Sequence, residues 1–221
     1  RPRTRLSEAE QGATLFSTRA GRRLIVVMML GGLAFVGAWM KAPHALAVGF
    51  TPMATLVAIY LYRYHPSLYL GYSWWVWALV CFARRLIEIK SGFIVASPIL
   101  LAPYLVSLPM GITLLFHAPK LLKRPLIPFL LVLTALTYAY IVGIVSTGIA
   151  AASYGLLVWL TPILLGFHIA VQSDIYPAVR TVMRRAIVGS VLFMGVYGVF
   201  QFVHPLAWDL FWMYAAKMYV I

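Results

Sequence analysis

The stretch Phe82-Ala83-Arg84-Arg85-Leu86-Ile87-Glu88-Ile89-Lys90-Ser91-Gly92 sets three cations and one carboxylate between two long apolar runs. Adjacent guanidinium groups can engage phosphate oxygens through paired N–H donors, and an ammonium adds a compact point charge. If the stretch continues a helix, Arg84 stands four residues and Arg85 three residues before Glu88, so one arginine can pair with the carboxylate and the other is left for an anion. The chemistry these types suit is anion binding. The competing reading is that long cationic stems hold a helix end at lipid headgroups.

What must position these residues follows from composition. Of 221 residues, 63% are hydrophobic and 10% charged, and the mean hydropathy is +0.91. Such a chain has too few polar groups to cover a water-soluble globule, so it is read as an integral membrane protein. The net charge of +13 does not point to nucleic acid, because the 18 Lys and Arg residues fall in short clusters between apolar runs. Anionic lipid headgroups and topology account for them better. The lone Cys81 lies in an apolar run and forms no intramolecular disulfide.

Six runs lack Asp, Glu, Lys and Arg: 24–40, 42–62, 64–83, 91–119, 125–173 and 186–208. A helix needs roughly 20 residues to cross the hydrocarbon core, so the long fifth run holds two spans, divided near Ser146-Thr147-Gly148. The expectation is an all-α, polytopic transmembrane helical bundle of about seven spans: 24–40, 45–62, 66–83, 93–116, 125–145, 149–171 and 186–203. Residues 1–23 form a basic cytoplasmic leader, 24–203 the transmembrane domain, and 204–221 the start of a periplasmic segment. The chain does not begin with Met, and it is expected to start inside a longer gene product.

Counting cations in the connections gives 13 on the side of the leader and 5 on the other, which places the N-terminus in the cytoplasm. Three of the outer five are Arg84, Arg85 and Lys90, crowded where that bias does not expect them. No Asp, Glu, Lys or Arg falls near a bilayer midplane, which argues against an ion-coupled carrier. His168 has no second ligand at metal spacing and reads as a hydrogen-bonded histidine. Trp74, Trp75 and Trp77 read as packing or interface aromatics. Pro98, Pro103 and Pro109 predict a broken fourth span directly after the charged stretch. There is no nucleophile elbow, phosphate-binding loop, zinc signature or kinase motif, and neither a metal nor a cofactor is implied.

Arg84-Arg85-Leu86-Ile87, the Pro-interrupted Leu101-Ala102-Pro103-Tyr104, Tyr197-Gly198-x-x-Gln201-Phe202, and Trp208-Asp209-x-Phe211-Trp212-Met213 together resemble the N-terminal half of O-antigen polymerase and ligase-type proteins. The resemblance covers most of the chain. It implies a polytopic inner-membrane glycosyltransferase that joins sugars from an undecaprenyl-pyrophosphate-linked glycan at the periplasmic face, without a metal. On that reading Arg84, Arg85, Lys90, Gln201, Trp208 and Asp209 bind substrate, and Glu88 has a structural pairing role. The family's large outer loops, with their essential Arg and His residues, lie mostly beyond a segment like Trp208-Asp209. The catalytic residues are therefore not assigned, and residues 1–221 alone are expected to be inactive without the C-terminal half or other polysaccharide-assembly proteins. Two other classes fit the pattern: a lipid or polysaccharide transporter subunit, and a noncatalytic membrane scaffold.

Overall fold

The structure is a computed structural model that describes residues 37, 39–172 and 176–217, and all regular structure among them is helical. The expected leader, and the expected first span up to residue 36, lie outside the described residues. The chain divides into two units, 1–46 and 47–221. Of the first, the described part is a short helical stretch and the opening residues of helix α1.

Helix α1 (Pro43–Tyr64) is followed after His65 by α2 (Pro66–Ser91), which Pro66 starts at a position whose missing N–H no helical bond needs. At 26 residues α2 is about 39 Å long. It ends at Gly92, whose φ of 87° suits a residue without a Cβ, and the Gly92 N–H closes the last turn on the Glu88 carbonyl. The charged stretch is therefore not a loop. The third span runs eight residues past its expected end at Ala83 as continuous helix.

The proline-rich run breaks as its prolines require. A 3-10 turn (Pro98–Leu101), α3 (Ala102–Ser107), α4 (Pro109–His117) and a second 3-10 turn (Ala118–Leu122) follow one another. Pro98, Pro103 and Pro109 each sit in the opening turn of their own segment, the place where a missing donor costs least. A third short turn, Arg124–Leu126, leads into α5 (Ile127–Thr147). Then come α6 (Ile149–Val171), α7 (Tyr176–Val203) and α8 (Ala207–Ala215). Gly148 alone, at φ 86°, separates α5 from α6, within the expected turn. Helix α7 begins ten residues before the expected start at 186, and Arg180, Arg184 and Arg185 are exposed along its first turns.

Among the described residues five segments are long and apolar enough to cross a membrane: Pro43–Tyr64, Pro98–Leu122, Arg124–Thr147, Ile149–Val171 and Tyr176–Val203. Helix α2 is not among them, because its Trp, Tyr and terminal charges lower its hydropathy. It nevertheless lies beside α7 in parallel. A Cβ added at Gly71 would stand 2.6 Å from Val182 Cγ1, one at Gly189 would meet the Trp75 ring at 3.0 Å, and Phe82 packs edge-on to Tyr197. Glycine at these two positions leaves room for the Val182 and Trp75 side chains between the helices.

Side-chain bonds fix the other directions. Thr51 bonds the Pro98 carbonyl and Tyr62 bonds Thr113, so α1 runs with the broken segment. Tyr69 donates to the Val106 carbonyl, Trp77 packs edge-on to Tyr104 and Arg84 donates to the Ile94 carbonyl, so α2 runs against it. Ala54, Ala58, Tyr69, Leu70, Met110 and Leu164 meet in the core between these helices. Arg63, Lys120, Lys123, Arg124, Arg180, Arg184 and Arg185 thus collect at one end of the helices. Arg84, Arg85 and Lys90 stand at the other.

Candidate functional site

The far end of α2 carries two arginines whose charges must be met, because a guanidinium removed from water without a partner is strongly unfavourable. Arg84 is buried, and its Nε lies 2.7 Å from Glu88 Oε1 one turn on, with Glu88 fully buried. A second Arg84 nitrogen donates to the Ile94 carbonyl, which ties the strand leaving Gly92 back onto the helix. The guanidinium is also packed against two rings that contact one another edge-to-face, with centroids 5.6 Å apart. Its central carbon is 5.0 Å from the Trp212 ring and 5.4 Å from the Phe93 ring, both at cation–π distance. Trp212 donates from Nε1 to the second Glu88 oxygen at 3.3 Å, so the same indole serves the cation with its face and the anion with its edge.

Arg85 shares the Trp212 ring, with its central carbon 5.6 Å from the ring centroid, but takes a different carboxylate. Its NH1 is 2.8 Å from Asp209 Oδ1, on the opening turn of α8, and its side chain keeps 26% of its surface exposed while Asp209 is buried. Tyr197, from α7, donates its hydroxyl to Asp209 at 2.7 Å and accepts a bond from Trp208 Nε1 at 3.0 Å. Phe82 closes the group against Tyr197 and Trp208. A carboxylate in the first turn of a helix is also favoured by the positive end of the helix dipole.

The structure thus brings Arg84, Arg85, Glu88, Trp208 and Asp209 into one cluster. The arginine expected to be left for an anion is paired: Glu88 takes Arg84, and Asp209, 124 residues away, takes Arg85. Two guanidiniums face two carboxylates, and the cluster is neutral. Lys90 is exposed on the last turn of α2, about 140° around the axis from Arg85 at 100° per residue, so these two cations do not share a face. Gln201 is half-buried one turn beyond Tyr197 on α7 and takes part in none of the cluster's bonds. Tyr197, Trp212 and Phe93 were not among the expected site residues. Tyr197 and Trp212 stand within the resembling motifs, whereas nothing in the sequence marks Phe93.

His168 lies elsewhere, fully buried at the end of α6, with Nδ1 2.7 Å from Thr113 Oγ1, which also meets the Tyr62 hydroxyl at 2.8 Å. This triad joins α1, α4 and α6 through polar atoms inside an apolar core, and Nε2 has no partner among the described residues. Among those residues no three His, Cys, Asp or Glu side chains stand close enough to share a metal ion. No protein-family model matches the chain, and neither curated proteins nor solved structures give a match.

Proposed function

We propose that the chain is part of a membrane glycosyltransferase that polymerises or ligates glycans carried on undecaprenyl pyrophosphate, at the periplasmic face of a bacterial inner membrane. The observation that carries this reading is the joining of Arg85 to Asp209 across 124 residues. The two segments that meet there, Arg84-Arg85 and Trp208-Asp209, are those whose resemblance points to polysaccharide assembly. Arg84, buried against Phe93 and Trp212, is a structural post. Arg85 is the partly exposed cation, and its role is to meet the pyrophosphate of the donor. Charge-assisted N–H donors directed at a departing pyrophosphate lower the barrier to breaking the glycosidic bond.

In this reading α2 is a span, because it packs in parallel along α7 from Gly71 to Phe82 and shares its depth. With the run 24–40, seven spans result. The cation-rich end faces the cytoplasm by the positive-inside bias, which puts the Arg85 cluster outside. Single cysteines at two exposed positions, Lys90→Cys and Lys123→Cys in a Cys81→Ser background, test the orientation. An impermeant thiol reagent added to intact cells is expected to label position 90 and not 123. The opposite pattern inverts the assignment.

The enzyme reading is tested by glycan transfer from a lipid-linked donor in the full-length protein at matched membrane expression. Arg85→Ala is expected to reduce turnover about tenfold or more, the equivalent of a lost charge-assisted contact of roughly 1.5–3 kcal/mol. Arg85→Lys keeps the charge without the fork and is expected to fall between Arg85→Ala and the parent. One observation favours a noncatalytic scaffold instead: the cluster's charges balance internally. Parent-level transfer by both variants is the result that reading predicts.

A further inference from the structure

At the opposite end of the helices a second arrangement stands apart from the Arg85 cluster. The linker between α4 and α5 is ordered by its own bonds, Lys123 N–H to the Lys120 carbonyl and Leu126 N–H to the Lys123 carbonyl, both at 2.9 Å. Leu121 and Leu126 point inward and pack with Phe167, which leaves Lys123 and Arg124 exposed on a fixed turn rather than on a loose tether. The described carboxylates are Glu88 and Asp209, both committed to arginines at the far end.

Directly below this turn, between α5 and α6, lies a groove of about 300 Å³ lined by Pro128, Phe129, Val132, Pro162 and Ile163. All five are apolar. Phe129 is drawn against α6 where Gly166 leaves room, a Cβ there standing only 3.3 Å from the ring. Pro128 is four residues beyond Arg124, on the first turn of α5. Helix α5 buries none of its side chains, so the groove opens on the outer surface of the helices rather than into their core.

From this juxtaposition we infer that Lys123, Arg124 and the α5–α6 groove form a binding site for one anionic glycerophospholipid. Its phosphate sits on the two cations, and an acyl chain occupies the groove. Charge complementarity selects the occupant. A zwitterionic lipid brings the same phosphate but adds a choline cation beside Lys123 and Arg124, and a second copy of this chain offers, among its described residues, only carboxylates that are already paired. The inference is independent of the glycosyltransferase reading.

The test uses the full protein purified in detergent, with lipid retention followed by native mass spectrometry and thermal midpoint. The probes are phosphatidylglycerol and phosphatidylcholine of identical chains, and glycerol phosphate as a chainless headgroup. At about 1 kcal/mol per cation near a surface, two cations predict a roughly 30-fold preference for phosphatidylglycerol. Lys123→Gln with Arg124→Gln is expected to abolish that preference, and both positions are exposed, so folding is retained. Val132→Trp, which fills the groove, is expected to lower retention of both lipids. Arg184→Gln with Arg185→Gln, on α7, is expected to leave the preference unchanged. Equal retention of the two lipids by the parent overturns the inference. So does an equal loss in the α7 variant, which indicates general surface charge, or protection by glycerol phosphate matching that of the lipid, which indicates a bare anion site.

Discussion

Glu88→Ala is expected to destabilise the protein by about 3–5 kcal/mol, because it leaves the Arg84 guanidinium enclosed by Phe93 and Trp212 with no counter-charge. The penalty comes from the stranded cation, not from the worth of the pair. For that reason the double variant Arg84→Met with Glu88→Leu, which removes both charges and keeps side-chain volume, is expected to be markedly more stable than Glu88→Ala alone. The denaturation midpoint of the purified protein in lipid nanodiscs, read for the parent, Glu88→Ala and the double variant, decides the matter. A Glu88→Ala protein as stable as the parent, or a double variant less stable than Glu88→Ala, shows that the pair is not held as described.

Asp209→Ala is expected to act locally. It removes the acceptor shared by Arg85 and Tyr197, and with it the polar contacts that fasten α8 to α2 and α7. Arg85 is partly exposed and can turn to water, so the global loss is expected to be smaller than for Glu88→Ala, about 1–3 kcal/mol. The larger effect is on the docking of α8. Hydrogen exchange across residues 207–215 is expected to accelerate tenfold or more, with little change along α2 between Gly71 and Val80. Tyr197→Phe leaves the Arg85–Asp209 pair in place and is expected to give a milder acceleration. Exchange in α8 unchanged by Asp209→Ala excludes this fastening role.

Much of the frame was legible in the residues. Gly148 could be placed as a turn because an apolar run too long for one span must reverse, and glycine is the residue that reverses it without strain. Pro98, Pro103 and Pro109 could be read as breaks because each lacks a donor. The end of α2 was harder. Charges normally mark the limit of a membrane span, so the span was drawn to Ala83, whereas the helix continues to Ser91 with Arg84 and Glu88 buried. What allows this is Asp209, Trp212 and Phe93 closing over the charges, and two of those lie more than 120 residues away. The i,i+4 spacing of Arg84 and Glu88 is written in the sequence, but the partner of Arg85 is a tertiary fact. Local pattern offered a free arginine, and only the docking of α8 removes it.

The single-residue connection at Gly148 bears on how the protein enters its membrane. Whatever joins α5 to α6 must be carried through the hydrocarbon during insertion, and here it is Ser146, Thr147 and Gly148 with no charge among them. Their hydroxyls and the Gly148 N–H are already bonded within the hairpin: Ser146 Oγ bonds the Val142 carbonyl, Thr147 Oγ1 the Gly143 carbonyl, and the Gly148 N–H the Ile144 carbonyl. A turn with its hydroxyls bonded in this way carries fewer unmet hydrogen-bonding groups through lipid. On the topology proposed above, the basic stretch before α5 stays behind and sets the direction of entry. A hairpin this short is then suited to entering the bilayer as one unit.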